Sequence, residues 1–110
     1  MDRDLSILAD IREMCSDAIT FLGDRTRDEL AQDRQLQYAL IRCLEVIGEA
    51  AKFVSSNTKD RYPEIPWSQY AKTRDFLIHS YAKIDPDVIW QSVKYDIPEL
   101  LQILNDDRSP

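Results

Sequence analysis

With 110 residues, 44% of them hydrophobic and 31% charged, the chain has the size and mixture of one folded domain, which excludes a disordered segment. Only two glycines occur and no short β-branched runs alternate between turn signals, so the composition turns away from sheet and towards helix. A net charge of −6 argues against a protein that attracts polyanions through its overall charge.

The first predicted element is an amphipathic helix from about Asp4 to Leu22, because Leu8, Ile11, Cys15, Ala18 and Leu22 recur at three- and four-residue spacing. Gly23 supplies its C-terminal stop. Thr26-Arg27-Asp28-Glu29 has the form of a capping box and opens a short helical turn. The strongest periodicity follows: Leu36, Leu40, Cys43, Ile47, Ala51 and Val54 form a continuous apolar stripe, widened by Leu44 and Ala50. Asp33 is placed to cap this helix, which the pattern makes central. Gly48 and the alanines would let a neighbour approach closely, at a cost in helix propensity of about 1 kcal/mol for the glycine. Ser55-Ser56-Asn57-Thr58 reads as the end of this helix, and Tyr62-Pro63-Glu64-Ile65-Pro66 as a rigid connection.

Pro66 suits the first turn of a third major helix, expected from about Trp67 to Tyr81. The last begins with Asp85 as N-cap and Pro86 at its first position, and its apolar face holds Ile89, Trp90, Val93, Ile97, Leu100, Leu101 and Leu104. Pro98 removes one backbone hydrogen bond inside it, so a kink is expected there. Asn105–Pro110 reads as a frayed tail. No repeat or linker divides the chain, so 1–110 is read as a single all-α domain, an up-and-down bundle of four main helices plus a short one. The first twenty residues include Asp2, Arg3, Asp4, Asp10, Arg12, Glu13 and Asp17, unlike a signal segment, and no apolar run is long enough to span a membrane. A cytoplasmic location is expected. Cys15 and Cys43, on apolar helix faces, read as small buried hydrophobes.

One histidine and two separated cysteines cannot form a zinc-type cluster of nitrogen and sulfur donors, and Gly23 and Gly48 are too isolated for a phosphate loop. Neither metal nor cofactor is expected. Acidic side chains at helical spacing are ordinarily a solvated face, and they give no support to magnesium chemistry. What remains is Arg74-Asp75-Phe76-Leu77-Ile78-His79-Ser80-Tyr81, within the stretch 59–83 that carries five basic and three acidic residues. Alone, His79 reads as a helix-end residue favoured by the dipole, and Arg74 as a surface ion-pair partner. Together they offer a bidentate phosphate grip and a proton carrier near neutral pH.

Arg74-x4-His79-x-Tyr81 resembles the R-x4-H-x-Y motif of HepT-type HEPN toxins, the ribonuclease half of HEPN/MNT toxin–antitoxin pairs. Leu44–Lys52 resembles the family's long-helix segment, and Pro63-Glu64-Ile65-Pro66-Trp67 its connection into the motif helix. Ile84–Trp90 and Ile97-Pro98-Glu99-Leu100 resemble its last helix, so the likeness covers roughly residues 5 to 104. The resemblance implies a metal-independent endoribonuclease. His79 would act as general base or acid for attack by the RNA 2′-hydroxyl, and Arg74 would hold the phosphate. The products would be a 2′,3′-cyclic phosphate and a 5′-hydroxyl end. Asp75, where many HEPN proteins have asparagine, would sit beside the site as an auxiliary residue.

In an ideal helix Arg74 and His79 point roughly 140° apart. Either the helix distorts near His79 or two chains bring their motifs together, and the resemblance implies the second, a two-fold homodimer with a shared cleft. Doubling the motif would also concentrate its positive charge in that cleft. Tyr81 reads either as a packing aromatic or, by the resemblance, as the residue to which a cognate minimal nucleotidyltransferase antitoxin attaches AMP, blocking the phosphate site. Glu49 and Arg42 lie on the less apolar side of the long helix, with solvated or dimer-facing roles. Two other readings stay open: a non-catalytic HEPN module that binds nucleotide, RNA or a partner, and a plain scaffold bundle.

Overall fold

A computed structural model describes residues 2–79 and 84–108. In chain order the helices are α1 (Asp2–Leu22), α2 (Arg27–Ala31), α3 (Arg34–Phe53), α4 (Ser56–Arg61), α5 (Trp67–His79), α6 (Pro86–Gln91) and α7 (Ile97–Leu104). A π-helical turn over Ser92–Asp96 joins α6 to α7. The described residues are all-α, with α1, α3, α5 and the continuous α6–α7 rod as the four main helices.

The expected stops and starts form as the sequence chemistry dictates. Gly23 takes φ 56°, a left-handed conformation that ends α1. Thr26 and Glu29 form a reciprocal capping box on α2. Asp33 accepts from the Leu36 N–H at 3.0 Å at the start of α3, and Asp85 from the Asp87 N–H at 2.9 Å at the start of α6.

The core is one layer of interdigitated apolar side chains. From α1 it takes Leu8, Ile11, Cys15, Ala18 and Leu22, and from α3 Leu36, Leu40, Cys43, Leu44, Ile47 and Ala51. Ile89, Val93, Ile97, Leu100 and Leu104 close it from the last rod. Each fully buried Leu or Ile contributes roughly 1.5–3 kcal/mol. Both cysteines are buried free thiols, and burial raises Cys15 to about 12 and Cys43 to about 11.

Three features depart from the sequence expectation. Ser55–Thr58 ends α3 but also starts the further short helix α4, with the Ser55 side chain as its cap. The same Ser55 hydroxyl donates to buried Asp4 of α1, and Thr58 Oγ1 donates to that carboxylate at 2.6 Å. The hydrogen bonds from Ser55 and then Thr58 outweigh burial and hold the Asp4 carboxyl below its ordinary value. Near Pro98, the interruption takes the form of the π turn, in which the Ile97 N–H reaches back five residues to the Ser92 carbonyl. Finally, the tail is held rather than frayed as far as Arg108. Its guanidinium donates to Glu64 at 2.6 and 2.8 Å and to the Arg61 carbonyl at 3.1 Å, and lies 5.1 Å from the Tyr62 ring centre. That hydrogen-bonded pairing with Arg108 brings Glu64 down to about 2. Arg12 likewise ties the ends together, donating through Nε and Nη2 to the Leu104 carbonyl at 3.0 and 2.8 Å. No helix among the described residues is long and apolar enough to cross a membrane.

Candidate functional site

Helix α5 is anchored at its beginning and freer towards its end. Pro66 lies just before the helix rather than in its first turn, and its carbonyl accepts from Gln69 and Tyr70. Trp67 is the helix's one buried residue, with its indole N–H donating to the Tyr62 carbonyl at 3.3 Å. One turn on, the Tyr70 hydroxyl donates to the Asp96 carbonyl at 3.3 Å, which fastens α5 to the π turn. Beyond that point the helix presents Lys72, Phe76, Ile78 and His79 to solvent.

Arg74 reaches its place because α3 has no side chain at Gly48. A Cβ there would overlap the Arg74 Cβ and come within 2.6 Å of the Tyr70 carbonyl oxygen. The glycine thus lets α5 cross α3 in direct backbone contact, the close approach expected of the small side chains on this helix. The Arg74 side chain, 25% exposed, then extends between two carboxylates. Nη2 pairs with Glu49 at 3.1 Å and Nη1 with Asp75 at 3.0 Å. Lys52 Nζ meets the same Asp75 oxygen at 3.0 Å. The hydrogen bonds from Lys52 and Arg74 hold the Asp75 carboxyl below its ordinary value.

His79 is joined to this cluster through the backbone. Its Nδ1 lies 2.7 Å from the Asp75 carbonyl oxygen, one helical turn earlier. A carbonyl can only accept, so Nδ1 carries the proton and the neutral ring keeps its lone pair on Nε2. Asp75 therefore touches both members of the expected pair, with its carboxylate on Arg74 and its carbonyl on His79. Arg74 and His79 themselves are not hydrogen-bonded to each other, because α5 stays helical through both and keeps them on different faces. Distortion of the helix before His79 is thereby ruled out. Tyr81 lies outside the described residues.

Glu49, Lys52 and the notch at Gly48 complete the cluster, and the sequence reading did not place them there. Glu49 does lie on the less apolar side of its helix, and that side faces Arg74. Their signal was the spacing Gly48-Glu49-x-x-Lys52, which puts a carboxylate one residue and an amine about one turn beyond a position where a helix can approach closely. The expected basic cleft is balanced within the chain, since Arg74 and Lys52 face Glu49 and Asp75. Beside the cluster runs an open groove of about 500 Å³. Arg3, Arg42 and Arg74 line it together with Asp10, Glu45 and Glu49, around an apolar strip that includes Phe53 and Ile78. Among the described residues no three His, Cys, Asp or Glu side chains are grouped to hold a metal ion.

The ribonuclease HepT-like family matches residues 11–106, which takes in α5, the notch and the whole charged cluster. The chain belongs to this HepT-like family. Among individual relatives, a candidate ribonuclease HepT of Thermococcus cleftensis is 42% identical over 95 residues, covering 83% of this chain and 86% of the relative. MJ0125 of Methanocaldococcus jannaschii, named as a candidate RNase, is 41% identical over 95 residues, covering 86% and 82%. No solved structure matches the chain. Within this HepT-like domain, the Arg-x4-His pair lies on the one main helix that contributes a single buried residue to the core.

Proposed function

We propose that the chain is a single-domain endoribonuclease, a toxin that cleaves RNA without a metal through Arg74 and His79. The observation that carries this reading is the His79 Nδ1 contact with the Asp75 carbonyl, which leaves Nε2 as a free base on the exposed end of a helix whose preceding turn presents Arg74. Nε2 takes the proton from a 2′-hydroxyl, whose oxygen forms a bond to the adjacent phosphorus. The bond from phosphorus to the 5′ oxygen breaks, and that oxygen leaves with a proton from water. A 2′,3′-cyclic phosphate and a 5′-hydroxyl end result. Arg74 offers its remaining N–H groups to the phosphate oxygens, where negative charge grows in the transition state. Asp75 serves both partners as an auxiliary residue.

The working unit is a two-fold homodimer in the cytoplasm. Arg74 and His79 face apart along a regular helix, so a second copy supplies what one chain separates. The groove beside Arg74 supports this, because equal numbers of acidic and basic side chains around an apolar strip suit self-association. Silencing follows from the family motif: a cognate minimal nucleotidyltransferase antitoxin attaches AMP to Tyr81, and the added phosphate competes for Arg74.

The test is growth on inducing the chain alone, wild type against His79→Ala, with RNA end-mapping in both. Arrest and cyclic-phosphate ends with the wild type only, and a loss of cleavage of at least ~100-fold in the variant, are expected. Equal behaviour of two folded proteins would replace catalysis with a module that binds RNA, nucleotide or a partner without cleaving.

A further inference from the structure

We infer that Glu49 is a positioning residue for Arg74, so that the phosphate-gripping fork is built by two helices rather than by the motif helix alone. The inference rests on the ribonuclease reading above for its kinetic consequence, but its geometry stands apart from it. Glu49 follows directly on Gly48, the position whose missing side chain lets the Arg74 stem lie against α3. At that crossing Glu49 Oε2 is ion-paired with Nη2 at 3.1 Å while Asp75 Oδ1 accepts from Nη1 at 3.0 Å. The two carboxylates come from different helices and take opposite ends of one planar group.

A guanidinium held at both ends has lost the rotations that an arginine ordinarily keeps. One N–H donates to Asp75 and Nη2 is ion-paired with Glu49, which leaves the remaining N–H groups of the fork for an anion. Lys52 completes the arrangement at a distance, because its contact with the same Asp75 oxygen keeps that carboxylate from turning away. Asp75 is one residue from Arg74 and moves with α5. Glu49 is the member that ties the fork to the core helix.

Electrostatics alone predicts the opposite effect of removing Glu49. Deleting a negative charge beside a phosphate site strengthens RNA binding and lowers KM. Positioning instead requires the transition state to suffer, since a fork that swings must be ordered again during the reaction. The two roles therefore separate in kcat and KM.

The experiment uses the full chain with a labelled single-stranded RNA oligonucleotide, comparing wild type, Glu49→Gln and His79→Ala, with thermal unfolding of each. Glu49→Gln is expected to lower kcat by ~10- to ~100-fold without raising KM, while its unfolding midpoint stays near the wild type. An unchanged or raised kcat, a loss carried by KM alone, or a loss that tracks the unfolded fraction would overturn the inference. Rotation of the Arg74 guanidinium, followed by nitrogen-15 NMR, is the second measurement. It should be slow in the wild type and fast in Glu49→Gln, and equal rates in both would overturn the positioning role. Because NMR needs no turnover, it keeps the inference testable if wild type and His79→Ala prove equally inactive, a result that counts against the ribonuclease reading only.

Discussion

Helix α3 is packed in two different ways on its two sides. Towards α1 and the last rod it presents Leu36, Leu40, Cys43, Leu44, Ile47 and Ala51, all buried among apolar partners. Towards α5 it presents a bare backbone at Gly48, followed by Glu49 and Lys52 in ion pairs with Arg74 and Asp75. The first side is held by area removed from water, which tolerates little polarity and asks for no particular charge. The second is held by close backbone approach and a few directed contacts, which set the direction of side chains but add little stability at a surface. The difference teaches where polar, half-exposed groups can be kept ready: on a helix fastened at its start by Trp67 and Tyr70, which gives the core only one buried residue.

The sharpest way to break this division is to damage the apolar side only. Leu40→Ala, at a fully buried position of α3, should cost about 2–5 kcal/mol. Denaturant unfolding should register that loss, while RNA cleavage per folded molecule stays unchanged. Gly48→Ala attacks the junction itself. The added methyl group should gain about 1 kcal/mol of helix propensity but force α5 off α3, for a net loss of roughly 1–3 kcal/mol. Here cleavage should fall more steeply than stability, because Arg74 moves with α5. If Gly48→Ala leaves cleavage intact, the close crossing is not what positions the arginine.

The smallest expected effect concerns Asp4, which binds Ser55 and Thr58 rather than any residue of the motif. Its folded-state carboxyl lies below its ordinary value, so the contribution is full above the unfolded value near 4 and is lost as pH falls through the lowered folded value. Asp4→Asn should therefore lower the thermal midpoint slightly at neutral pH and flatten its decline below about pH 4. A variant as sensitive to acid as the wild type would assign that sensitivity to other carboxylates, with Glu64 beside Arg108 the first to test.

Much of this architecture is readable from periodicity because the core helices are long and one-sided. The stripe from Leu36 to Val54 and the caps at Thr26, Asp33 and Asp85 each rest on local chemistry that tertiary structure has no reason to override. Helix α4 escapes because it has no apolar stripe at all: its one buried residue is Thr58, and what holds it is Asp4, more than fifty positions away in sequence. The hold on Arg108 escapes for the same reason, since Glu64 lies 44 positions earlier. At the site, Arg74, Asp75 and His79 stand out as a local motif. Glu49 and Lys52 do not, because they acquire meaning only once α5 is known to cross α3 at Gly48.

The π turn before Pro98 has a consequence for how the last rod came to fit. Ile89, Val93 and Ile97 follow one another at intervals of four, and a straight α-helix would carry the third about 80° around from the first. A wider turn absorbs that drift, so all three remain buried and Leu100 and Leu104 continue the line. Seen this way, Ser92–Asp96 is a phase corrector, a single surplus residue taken up where proline has already removed a backbone donor. Shortening that turn by one residue would leave a more regular helix whose second half is rotated by about 100°, with the wrong side chains facing the core. Regularity of the backbone and registry of the core are in conflict at this point, and the molecule has kept the registry.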